Sequence, residues 1–172
     1  MLIPVDMRDL IKQKMEDNGF PTTQEDSIAR ISKGIGEYLA NNAELSYSWV
    51  AQSTSTPPVV DSIISFSTSL SYDDSTISLP SSKSQFFSNV SSFLHSSLSI
   101  NSPLGFSLSL SFNPSGIISA NLTSDLTSFD TAMLSFCTQL ISTFKTNYLN
   151  PSPITGNRIG VYFGSAVMIA IN

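Results

Sequence analysis

The chain is poor in ionisable side chains. Charged residues make up 12% of its 172 positions, about half the usual ~25% of a soluble domain. It has one histidine and one cysteine. A lone cysteine, Cys137, forms no internal disulfide, so nothing in the sequence demands an oxidising compartment. Long apolar runs are also missing. The most apolar tract, Ile159 to Ile171, is about a dozen residues, short of the ~20 that cross a bilayer. The start, Met1-Leu2-Ile3-Pro4-Val5-Asp6, has no basic segment followed by an apolar one, which predicts no secretory signal. No membrane partner is expected. Basic residues are few: after Leu45 there are Lys83, Lys145 and Arg158, in a chain of net charge −5. Phosphate binding requires a basic stripe, so nucleic acid is excluded as a partner.

What fills the surface instead is serine, roughly a fifth of the chain. Such a surface is wettable but weakly self-repelling, and does little to oppose contact with neighbours. Hydrophobic residues at 41% exclude wholesale disorder, and the length suits one domain with a sizeable core. The charge that exists is concentrated at the start: about 13 of the 21 charged residues precede Leu45.

Periodicity divides the chain. A first helix is predicted over Val5 to Asn18, with Gly19 as its stop and Pro21 just beyond. Thr22 or Thr23 caps a second, whose Ile28, Ile31, Ile35, Tyr38 and Leu39 recur at offsets of three and four. The two form a charged helical hairpin over 1–43. From Glu44 to Ala51 the period becomes two, with Leu45, Tyr47 and Trp49 alternating with Ser46, Ser48 and Val50, which predicts a strand. Gln52 to Pro58 reads as a polar linker.

A pseudo-repeat follows, over 59–100 and 101–150. Phe66 to Tyr72 matches Phe106 to Phe112, each alternating apolar residues with serine or threonine. Each copy continues with a turn, a short second strand (Ile77 to Leu79, Ile117 to Leu122) and an amphipathic helix. The first helix uses Phe86, Phe87, Val90, Phe93, Leu94 and Leu98; the second uses Ala132, Met133, Phe136, Cys137, Leu140, Ile141 and Phe144. In the tail, 151–172, Arg158 to Phe163 and Ala166 to Ile171 read as two strands joined at Gly164-Ser165. The expectation is a single α+β domain over 1–172: an N-terminal helical hairpin, two strand-turn-strand-helix units forming an antiparallel sheet with helices on one face, and a C-terminal strand pair.

No catalytic, cofactor or metal constellation is expected. His95 sits off the apolar stripe of its helix and is expected to face solvent; a triad would need it held between a serine and an acid. Cys137 falls on an apolar helix face and reads as a core side chain. Asp73-Asp74 reads as a turn, since hard cations want six or more oxygens. Asp125 and Asp130 lie near the start of the last long helix, where capping and dipole effects account for them. Gly34-Ile35-Gly36 lies inside a helix pattern and is no phosphate loop. Gly34 suits either close helix packing or a subunit contact, with a locally weak helix as the alternative. Trp49, Tyr47 and Tyr72 are either half-buried core residues or interface anchors. With Tyr162, Phe163 and Met168 of the apolar tail, these and Gly34 are the candidate interface.

Two stretches carry a likeness. Ala29 to Leu39, reading ARISKGIGEYL ahead of a strand, and Gly160 to Asn172, reading GVYFGSAVMIAIN, resemble small virion structural proteins of tailed bacteriophages. The likeness covers roughly a fifth of the chain. It implies a non-enzymatic subunit of a head, neck or tail assembly, located in the virion and contacting itself and other virion proteins. The alternative is a binding module, an adhesin or receptor-binding domain using its serine- and aromatic-rich strand face. A hydrolase would require His95 to turn inward beside an acid and a serine.

Overall fold

The computed structural model describes residues 1–52, 60–75, 79–80, 82–101, 126–148, 154–158 and 162–172. Among them the chain forms helices α1 (Pro4–Glu16), α2 (Gln24–Asn42), α3 (Lys83–Ser97) and α4 (Leu126–Tyr148). The strands are β1 (Glu44–Gln52), β2 (Val60–Tyr72), β3 (Leu98–Ile100), β4 (Ile154–Arg158) and β5 (Tyr162–Ile171). The strands make one antiparallel sheet in the order β3-β2-β1-β5-β4. The architecture is α+β, with the helical hairpin first.

Local chemistry sets the hairpin. Pro4 opens α1, where its missing N–H is lost at no cost. Asn18 (φ 59) and Gly19 (φ 89) then take left-handed backbone, which ends the helix. Thr23, the second of the two expected caps, starts α2; its hydroxyl accepts from the Asp26 N–H at 3.1 Å. The predicted stripe on α2 is the buried one: Ile28, Ile31, Ile35 and Leu39 are fully enclosed. Each contributes about 1.5–3 kcal/mol by leaving water.

The hairpin packs on the chain's own sheet and helices. Two glycines permit it. A Cβ on Gly34 would stand 2.9 Å from the Ile11 Cα, so this residue lets α1 and α2 approach backbone to backbone. A Cβ on Gly36 would stand 2.1 Å from the Tyr72 ring, so this one lets β2 lay an aromatic flat on α2. The Tyr38 hydroxyl accepts from Ile3 N at 2.6 Å and donates to Ile3 O at 3.0 Å, which pins the chain ahead of α1. Lys12 reaches Asp130 at 3.0 Å and ties α1 to α4. That contact replaces the capping role expected of Asp130, which lies beyond the first turn of α4.

The core joins Met7 and Ile11 of α1, the α2 stripe, Leu45 and Tyr47 of β1, and Leu70 of β2. Phe86, Phe87, Val90 and Leu94 come from α3, and Met133, Phe136, Cys137, Leu140, Ile141 and Phe144 from α4. Phe87 meets Phe136 edge to face, centroids 4.9 Å apart, which locks α3 against α4.

Several boundaries differ from expectation. β2 begins at Val60, because pairing with β1 carries it through the non-alternating Val60 to Ile64 segment. Leu98, expected in a helix, opens β3, which pairs back onto the end of β2. The C-terminal strand pair exists, but Gly164 and Ser165 lie inside β5 and are no turn. They are held there between β1 and β4: Gly164 faces Ala51 on one side and Gly156 on the other. Paired strands on both sides override a Gly-Ser turn signal. Leu79 is not in a strand; the rest of that expected strand, the repeat's strands between Phe106 and Leu122, the Pro57-Pro58 linker and Asp125 lie outside the described residues.

Candidate interface

β1 and β2 sort their side chains by alternation. Residues directly opposite on antiparallel strands share a face, and Leu45 stands opposite Thr68, Tyr47 opposite Phe66. This face lies under the helices: Leu45, Tyr47 and Leu70 are buried, Phe66, Thr68 and Tyr72 half-buried. Tyr47 and Phe66 stack at 5.3 Å with 10° between their planes.

The other face is serine. Ser46 stands opposite Ser67 and Ser48 opposite Ser65. Ser65, Ser67 and Ser69 are exposed, and Ser46, Ser48 and Ser71 half-buried. Toward β3 the hydroxyls bond across strands: Ser71 and Ser99 share a 2.7 Å hydrogen bond, and the Asn101 amide donates to the Ser69 hydroxyl at 2.8 Å. Thr68, from the opposite side, donates to the Asn101 carbonyl. Among the described side chains on this face of the three strands, Glu44, exposed and opposite Ser69 at the start of β1, carries the one charge. Seven serines there span roughly 20 Å along the strands and about 10 Å across them.

The expected interface residues fall into three groups. Gly34 is buried against α1 and Tyr47 is fully enclosed, so the surfaces of both are already used within the chain. Tyr72 is half-buried against Gly36. Trp49, Tyr162, Phe163 and Met168 take register positions on β1 and β5, Trp49 opposite Ala166 and Met168 opposite Tyr47, but their side chains lie outside the described residues. So does the side chain of His95, and with it the expectation that it faces solvent. The serine face follows from the same alternation that places Leu45 and Tyr47 in the core.

Buried polar groups identify no reacting centre among the described residues. Burial pushes the Tyr47 phenol up to about 12, and its hydroxyl has no hydrogen-bond partner. The Ser32 and Tyr72 hydroxyls are buried neighbours that make no hydrogen bond of normal geometry. Burial also raises the Tyr72 phenol and pushes the Cys137 thiol up to about 12, the opposite of what a nucleophile needs. Asp73 accepts from the Ser75 N–H at 2.9 Å and hydroxyl at 2.6 Å, a turn that holds its carboxyl below the usual value. A cleft of about 460 Å³ beside it is lined by Lys33, Glu37, Tyr72, Asp73 and Asp74. No three described His, Cys, Asp or Glu residues are grouped to hold a metal. No described helix is long and apolar enough to cross a membrane.

No protein-family model matches the chain, and neither does any curated protein or solved structure.

Proposed function

We propose that the chain is a non-enzymatic assembly subunit, a structural protein of a bacteriophage virion that contacts itself and other virion proteins. One observation carries the assembly reading: the face of β1, β2 and β3 turned away from the helices is a field of seven exposed or half-buried serines, with Glu44 as its one described charge, at the start of β1. Each hydroxyl donates and accepts, so the serines meet another protein surface with partners for their polar groups, while Glu44 stays at the rim of the patch. The patch is smaller than the ~800 Å² per partner of a standard interface, so it forms the centre of a contact that draws on surface around it. The virion itself is inferred from the likeness of the Ala29–Leu39 and Gly160–Asn172 stretches to virion proteins.

The binding-module reading rests on serine and aromatic residues acting together. Alternation separates them: Tyr47, Phe66 and Tyr72 lie on the helix side and the serines on the other. A sugar-binding platform needs its aromatic rings exposed, so the split favours assembly. Size-exclusion chromatography with light scattering tests the proposal. Wild type is expected well above the 18.6 kDa of one chain, and Ser67→Lys closer to it. A wild-type monomer that retains glycans would reverse the choice.

A further inference from the structure

The turn between α1 and α2 is built to hold an aromatic ring in water. Asn18 and Gly19 both take left-handed backbone, at φ 59 and 89, a conformation that a non-glycine residue rarely adopts. Arg30 fastens this turn. One guanidinium nitrogen donates to the carbonyls of Met15, Asp17 and Gly19 at 3.2, 2.5 and 2.6 Å. The other two donate to the two Asp26 oxygens, both at 2.9 Å, which fixes the plane of the fork. The residue delivered by this clamp is Phe20, 68% exposed. Phe20 itself forms part of the rim of a cleft of about 370 Å³. Met15, Pro21 and Phe129 supply its apolar wall, and Lys12, Glu16, Lys83 and Asp130 its polar lining.

We propose that this patch is a two-fold contact between copies of the chain, with Phe20 of each copy seated in the cleft of the other. A two-fold contact requires knob and hole on the same surface, and here they are adjacent. Lys12 and Asp130 of the lining are paired with each other, which leaves one anion and one cation, Glu16 and Lys83, that a two-fold axis can bring opposite the Lys83 and Glu16 of the second copy. A turn already fastened by Arg30 loses little freedom on docking, which favours Phe20 as an anchor. The proposal rests on the reading of the chain as an assembly subunit, and names the residues of one of its contacts.

Sedimentation velocity over a wide concentration range tests it, using wild type, Phe20→Ser, Phe20→Leu and Lys83→Glu. Phe20 is exposed, so circular dichroism should show all four folded alike. Phe20→Ser is expected to raise the self-dissociation constant at least tenfold, Phe20→Leu by less, and Lys83→Glu about threefold by upsetting the charge balance. Equal association of wild type and Phe20→Ser overturns this contact and leaves the assembly reading standing. A wild type that stays monomeric to its highest soluble concentration overturns both.

Discussion

Replacing Tyr47 with phenylalanine should make the protein more stable. The ring is fully enclosed and stacked on Phe66, and phenylalanine keeps both features. What is lost is a buried hydroxyl with no partner among the described residues, a group that costs about 1–3 kcal/mol. The small void left by the oxygen returns part of that, so a gain of about 1 kcal/mol is expected near neutral pH, or roughly 2–4 °C in Tm for a chain of this length. The advantage should grow with alkalinity. Burial holds the folded phenol at about 12 against an ordinary 10.0, so the unfolded chain releases this proton first. The stability that comes from keeping the phenol neutral is complete below pH 10 and is lost as pH rises toward 12. At pH 11 the wild type has lost about 1.4 kcal/mol from this residue alone. Burial also raises Tyr72 and Cys137, but both are common to the two proteins and cancel in the difference. Urea unfolding followed by circular dichroism gives the two free energies directly. The reasoning fails if Tyr47→Phe is the less stable protein at neutral pH, or if the gap between the two stays constant up to pH 11.

Other expectations follow from single contacts. Gly34→Ala should be destabilising by up to about 2 kcal/mol, because overpacking against the Ile11 backbone at about 1–3 kcal/mol offsets the ~1 kcal/mol that alanine gains in a helix; thermal unfolding measures it. Gly36→Ala should be destabilising alone and milder in the background of Tyr72→Ala, where the ring it strikes is gone; a double-mutant cycle reads the coupling. Arg30→Gln should cost about 2 kcal/mol, since it empties a clamp with three carbonyls and one carboxylate, and should raise amide exchange in residues 17–20. Cys137, buried with its thiol at about 12, should react with a thiol reagent only after unfolding.

The parts of the fold legible in the sequence were those with unbroken local periodicity. Ile28, Ile31, Ile35 and Leu39 on α2, and Met133, Phe136, Leu140 and Phe144 on α4, repeat at helical spacing and are all buried. Leu45 and Tyr47 alternate with serine and lie on the core side of β1. What escaped was set by partners distant in sequence. Gly164-Ser165 carries a turn signal that two flanking strands override, and Leu98 continues a helical stripe until pairing with Tyr72 claims it for β3. Gly34 and Gly36 look alike in sequence, yet one meets a helix and the other a tyrosine ring. The interface reading shows the same division. Bulk and aromaticity nominated Tyr47, which the core absorbs, while the alternating serines between its neighbours faced outward. Nothing local marks Phe20 either, because its exposure follows from a guanidinium ten residues further along α2.

In an assembly subunit of the kind proposed, the serine face of β1 and β2 becomes covered by protein. Ser67→Cys places a thiol in the middle of that face, and Cys137 gives a silent background because it is buried. The labelling rate of this thiol, followed across a wide range of protein concentration, is the most direct measurement. The rate should fall steeply as the chain assembles and recover on dilution. A rate that stays constant while light scattering reports growing particles would mean that the face remains in water, and would contradict the proposal.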